Sequence, residues 1–158
     1  MKQVKLTLII CLATLIVAIS GCDKSVDDSV TLWPVNNECN LHRHTCTNQY
    51  QGAEVSLKIS PHPIPIARPL GIEVYTKNLE VSNIQIDISG KSMYMGYNRV
   101  PLTLAKTQQN NEVQRYIGTS MLAFCTTQKM LWQITLIIDQ PNGKQIQIPY
   151  NLETINRL

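Results

Sequence analysis

Three short stretches hold the residue types that could do chemistry. Residues 39–46 read CNLHRHTC, residues 92–96 read SMYMG, and residues 124–132 read FCTTQKMLW. Thiolates and thioethers are soft ligands that suit Cu(I) better than hard cations, and a mixed set of thiolate and imidazole also serves zinc. In a strand, Met93 and Met95 would project from one face about 7 Å apart, with Tyr94 on the opposite face. Cys125 stands five residues before Met130. In an antiparallel sandwich those two stretches could meet at one end. The expected soft-metal site is therefore Met93, Met95, Cys125 and Met130. A single methionine is ordinarily a gap-filler in a core. The argument for metal rests on the group.

The CNLHRHTC loop allows two readings. With both thiols reduced, Cys39, His42, His44 and Cys46 offer four donors to one metal. Their spacing is not the usual C-x2-C…H-x3-H zinc pattern. Oxidised, Cys39 and Cys46 close a short disulfide loop, and the histidines of the polar stretch NLHRHT stand in solvent. The redox compartment decides between them.

The start of the chain addresses that compartment. Lys2 and Lys5 form a basic head, and Leu6 to Ile19 is apolar apart from two threonines. Ile19-Ser20-Gly21-Cys22 follows. Basic head, apolar run too short for a comfortable span, and small-residue cleavage site together describe an export signal. The I-S-G-C form resembles the bacterial lipobox, which implies that Cys22 becomes the first mature residue and carries lipid, palmitate among its acyl chains. Asp23 resembles the enterobacterial signal for retention in the inner membrane. The expected location is the bacterial cell envelope, on the periplasmic side, anchored through Cys22. The expected organisation is a signal peptide over 1–21, a lipidated cysteine and tether with the Cys/His loop over 22–50, and a folded domain over 51–158.

Export changes the cysteine count. Of five cysteines, Cys11 leaves with the signal and Cys22 carries lipid, so Cys39, Cys46 and Cys125 remain. In an oxidising compartment the expected state is a Cys39–Cys46 disulfide with exposed histidines. Cys125 is then a free thiol, buried or ligating, unless it pairs with Cys39 or Cys46 instead. Charge changes as well. The whole chain is +3, and without Lys2 and Lys5 it is about +1. No basic stripe remains, and nucleic acid is excluded as a partner.

The elements that must position these residues have strand periodicity. Residues 23–37 (DKSVDDSVTLWPVNN) read as a polar, flexible tether. From Val55 onward, apolar and polar residues alternate over 55–59, 70–75, 84–88, 132–138 and 145–150. Period-two alternation means one buried face and one wet face. Pro141-Asn142-Gly143-Lys144 marks a tight hairpin, and Ser89-Gly90-Lys91 and Gln109-Asn110-Asn111 read as further turns. SPHPIPIARP (60–69) is excluded from a central strand by its prolines and is expected as an extended edge or crossover segment. The fold class is all-β: an antiparallel immunoglobulin-like β-sandwich of about seven strands.

The order of these features resembles the YtkA-like/FixH-like family of extracytoplasmic domains. It runs as a strand and proline segment (ISPHPIPIARPLGIEVY, 59–75), a central strand ending in Met-x-Met-Gly (IQIDISGKSMYMG, 84–96), a Tyr-x-Gly strand (RYIGTSML, 115–122) and a last core strand with Met and Trp (KMLWQITLII, 129–138). It covers about Val55 to Tyr150. The resemblance implies an immunoglobulin-like sandwich and a link to copper handling or cytochrome oxidase assembly, with SenC-type copper chaperones as associated proteins. Met93 and Met95 match the Met-x-Met stretch, Tyr116 and Gly118 the Tyr-x-Gly strand, and Met130 and Trp132 the last motif. Cys125 and the CNLHRHTC loop depart from the family pattern.

Two functions follow. One is a membrane-anchored copper-binding or copper-delivery protein holding Cu(I), with a respiratory oxidase or another copper chaperone as partner. The other is an assembly or interaction lipoprotein that binds no metal and docks its sandwich on a membrane partner. Catalysis is not expected. There is no Ser-His-Asp order, no paired carboxylates at strand ends, no Gly-rich phosphate loop, and no C-x-x-C on an αβ pattern. His62, between two prolines, has no evident acidic partner.

Overall fold

The computed structural model describes residues 29–105 and 112–156. The export signal, Cys22, Asp23, residues 23–28 of the expected tether and the expected turn at 109–111 lie outside the described residues. The described chain is all-β. Its ten strands are β1 (Val30–Leu32), β2 (Cys46–Tyr50), β3 (Ala53–Ser60), β4 (Pro69–Lys77), β5 (Asn83–Gly90), β6 (Tyr97–Pro101), β7 (Thr103–Leu104), β8 (Val113–Met121), β9 (Lys129–Asp139) and β10 (Gln145–Ile155).

They form two five-stranded sheets, ordered β1-β10-β9-β5-β6 and β2-β3-β4-β8-β7. Every pairing is antiparallel except β1 with β10. Strands β3, β4, β8 and β7 follow the A-B-E-D order of an immunoglobulin sandwich, and β10, β9, β5 and β6 follow G-F-C-C′. Two short N-terminal strands, β1 and β2, add one edge to each sheet.

Alternation builds the core. Val55, Leu57 and Ile59 of β3 face inward with Leu70, Ile72 and Val74 of β4. Ile84, Ile86 and Ile88 of β5 meet Met130, Trp132, Ile134, Leu136 and Ile138 of β9. Burying each such side chain contributes about 1.5–3 kcal/mol. Trp132 turns its indole N–H to Thr154 Oγ1 at 2.9 Å, which satisfies a polar atom inside the core.

The sandwich begins well before residue 51. Residues 29–50 were expected as tether and loop, yet β1 and β2 belong to the sheets, and Trp33 and Leu41 are buried in the core. Trp33 stacks obliquely on Tyr50, with ring centroids 5.6 Å apart. The hidden anchor is therefore one tryptophan in a polar stretch. Strands of two to five residues on sheet edges show no alternation to read, which is why ten strands stand where about seven were expected. The proline segment 61–68 is neither an edge nor a crossover: it joins β3 to its neighbour β4.

The register separates two ends of the sandwich. At one end lie the close of β5, the starts of β6 and β9, and the close of β10, because Ser89 is opposite Tyr97 and Ile155 is opposite Lys129. At the other end lies the β9–β10 hairpin, and β1 enters there, with Val30 beside Gln145. The eleven residues of β9 span about 35 Å between these ends.

Candidate metal centre

The Met-x-Met stretch is not in a strand. β5 stops at Gly90 and the chain turns through 91–96 before β6 begins at Tyr97. The same-face placement expected for Met93 and Met95 is thereby corrected. Gly90 makes this turn possible. A Cβ there would lie 2.1 Å from Met93 O, 2.6 Å from Met130 Cε and 3.0 Å from Met95 Cγ. The turn thus folds three methionines around one glycine.

The turn is fastened to the start of β9. Backbone N–H groups of Lys91 and Ser92 donate to Leu131 O at 2.8 and 3.4 Å. Ser92 Oγ accepts the Leu131 N–H at 3.1 Å and donates to Met130 Sδ at 3.1 Å. Met130 is buried, Met95 is half-buried, and Met93 is 44% exposed.

Cys125 comes from the β8–β9 connection. The Asn156 side-chain amide donates to the carbonyls of Cys125 and Thr127, the latter at 3.0 Å, and its backbone N–H donates to Gln128 O at 2.8 Å. Asn98 Nδ2 ties β6 to the close of β8 through Ser120 Oγ at 2.9 Å and Met121 O at 3.1 Å. Cys125 is buried and free. Its Sγ lies 2.9 Å from Thr127 Oγ1 and 3.9 Å from Met93 Sδ. Hydrogen bonds from the Thr127 hydroxyl and then the Thr127 N–H hold the thiol below its ordinary pKa. Cys125 Sγ thus stands between a hydroxyl, where either atom can donate, and a thioether that can accept its S–H.

Sulfurs 3.9 Å apart can both reach one ion at a thiolate–metal distance of about 2.3 Å, because their separation is below twice that length. The spacing of the Cys125–Met93 pair is therefore compatible with one shared soft ion, while Met95 and Met130 pack beside Gly90. All four residues singled out from the sequence stand at the same end of the sandwich. An exposed apolar rim surrounds them, including Tyr94, Tyr97, Met121 and Phe124.

The Cys/His loop is different. Cys39 and Cys46 form a disulfide with Cα atoms 5.7 Å apart. The donor atoms of Cys39, His44 and Cys46 lie within 4.8 Å of one another, but both sulfurs are consumed by the bond. The four-donor metal reading is thereby corrected, and so is a disulfide between Cys125 and either of them. His44 is exposed as expected. His42 is not. It is half-buried, accepts the Ile64 N–H at Nδ1 (3.0 Å) and donates from Nε2 to Glu153 O (2.6 Å). It clamps the loop to the proline segment and to β10.

Sequence reasoning missed Gly90, Ser92, Thr127 and Asn156 as parts of this site. Adjacency carried a faint signal for Ser92 and Thr127, which sit one and two residues from Met93 and Cys125. Asn156 is thirty-one residues from Cys125 and carried none.

A scan of protein-family models finds none that matches the chain, and a search of curated proteins finds no significant relative.

Proposed function

We propose that this protein is an extracytoplasmic copper-binding lipoprotein that holds Cu(I) at Cys125 and Met93, with Met95 and Met130 supplying further thioether donors. One observation carries the reading: a free thiol able to donate its proton to a half-exposed methionine sulfur 3.9 Å away. A soft cation would take the place of that proton, and the lowered thiol pKa eases the exchange. Neutral thioethers and one thiolate suit Cu(I) and serve hard ions poorly. Exposed Met93 gives the ion a way in and out one ligand at a time, as delivery requires. The family resemblance in the motifs supports the same reading.

Lipid on Cys22 would fix the chain to the membrane near β1. Its partner there would be a respiratory oxidase domain or another copper chaperone. The second reading, an assembly lipoprotein without metal, is favoured only by the exposed aromatic rim. Copper K-edge X-ray absorption on the full chain loaded with one equivalent of Cu(I) separates them. A shell of sulfur alone supports the copper reading. A nitrogen or oxygen shell, or copper removed by washing, leaves the assembly reading.

A further inference from the structure

We propose that Ser92 is the positioning residue of the sulfur site, fixing the Met130 thioether so that one defined lone pair remains for a metal. The inference rests on reading this end of the sandwich as a Cu(I) site. The hydrogen-bond roles of Ser92 are set by its partners. Leu131 offers an N–H, so Ser92 Oγ accepts there at 3.1 Å. Its single proton is then free for Met130 Sδ, also at 3.1 Å. Rotating the hydroxyl away would leave a thioether in a buried side chain without a donor.

Methionine is otherwise a poor choice for a defined ligand. It has three rotatable bonds and adapts to whatever surrounds it. Here both sides of its sulfur are constrained. The Cε methyl lies against Gly90, and the hydroxyl takes one lone pair. A divalent sulfur has two, so one stays available. The same serine joins the turn that carries Met93 and Met95 to the strand that carries Met130, through the Lys91 and Ser92 N–H groups on Leu131 O. Ser92 therefore acts on the metal site without touching the metal, as outer partners of ligands do.

The test uses the full chain in detergent micelles, with methionine methyl groups carbon-13 labelled, as wild type, Ser92→Ala and Ser92→Thr. Cu(I) affinity is read by competition with a chromophoric chelator, and the Met130 methyl resonance is read before metal is added. Ser92→Ala is expected to weaken Cu(I) binding by about tenfold or more and to shift or broaden the Met130 methyl signal. Ser92→Thr keeps the hydroxyl and should restore both. An Ala variant that binds within twofold of wild type with an unmoved methyl signal overturns the proposal. So does a folded Thr variant that loses Cu(I) while its Met130 signal stays in place. A wild type that binds no Cu(I) overturns the site reading itself, a result distinct from normal wild-type binding with an indifferent Ser92→Ala.

Discussion

Where β9 ends, the chain turns on amides and glycine; where β9 begins, it turns on sulfur. The first end is closed by Gln51-Gly52, Asn78 and Pro141-Asn142-Gly143. Four of those residues, Gln51, Gly52, Asn78 and Gly143, take positive φ, against Ala67 and Gly96 at the other end. Asn78 caps Gly52 O at 3.2 Å, and the hairpin closes with Gln140 N–H on Lys144 O at 2.8 Å. Among the described residues, every cysteine, methionine and histidine lies at the second end or on the strap 34–46 that runs to it. There the connections are fixed by side chains: Ser92 on Met130, Thr127 on Cys125, Asn156 on the Cys125 carbonyl, His42 on Ile64 and Glu153. Turn chemistry alone would reverse the chain at both ends. The extra hydrogen bonds at one of them position sulfur.

Substitutions can sharpen or break this contrast. The largest stability effect is expected from Met130→Ala, which opens a cavity beside Trp132 and should cost about 2–5 kcal/mol, measured by denaturant unfolding. Gly90→Ala should follow at about 1–3 kcal/mol, because its Cβ meets backbone and two thioethers. It should also abolish Cu(I) retention while changing no sulfur.

Acid should act on the sheet face between the two ends. The Lys58 ammonium first, then the Tyr75 hydroxyl and the Arg115 guanidinium, hold the Glu73 carboxyl down at about 2. A depressed carboxylate stabilises the fold above its unfolded pKa, near 4.5, and loses that contribution as pH falls toward 2. Because its cationic partners are substantially exposed, the contribution is about 1–2 kcal/mol. Unfolding of Glu73→Gln between pH 5 and 2.5 should lack the corresponding part of the wild-type decline.

At the amide end, Gly143→Ala should cost about 1 kcal/mol through its positive φ and leave copper binding as it was. Met93→Ala should change stability least, by about 0.5 kcal/mol or less at an exposed position, yet it should cost copper affinity. If stability and affinity fall together in both methionine variants, the sulfur end is core packing and the contrast between the ends is lost.

The sequence made the centre of the fold legible because long strands repeat their period often enough to be seen. Residues 84–88 alternate throughout and 132–138 do so up to Leu136, and both lie in interior strands. Edges were harder. β1 is three residues long and contributes its anchor, Trp33, from just beyond the strand, so local pattern could not separate it from a tether. The membership of the sulfur group was legible as composition, since soft residues are few and stand close in sequence. Its geometry was not. Met93 and Met95 sit in a turn because Gly90 leaves room for the chain to fold over Met130, a contact between residues forty apart. His42 looked solvated because its neighbours are polar, and its partners are remote: Ile64 in the proline segment and Glu153 in β10.

The most direct measurement is a Cu(I) competition titration of the processed, lipidated protein and its Cys125→Ser variant, with accessible thiols counted after unfolding. The account predicts one thiol beyond the disulfide, one Cu(I) bound by the wild type with release of one proton, and a large loss of affinity in the variant. Equal affinity in the two proteins would contradict it, because the ion would then be held without the thiol that faces Met93.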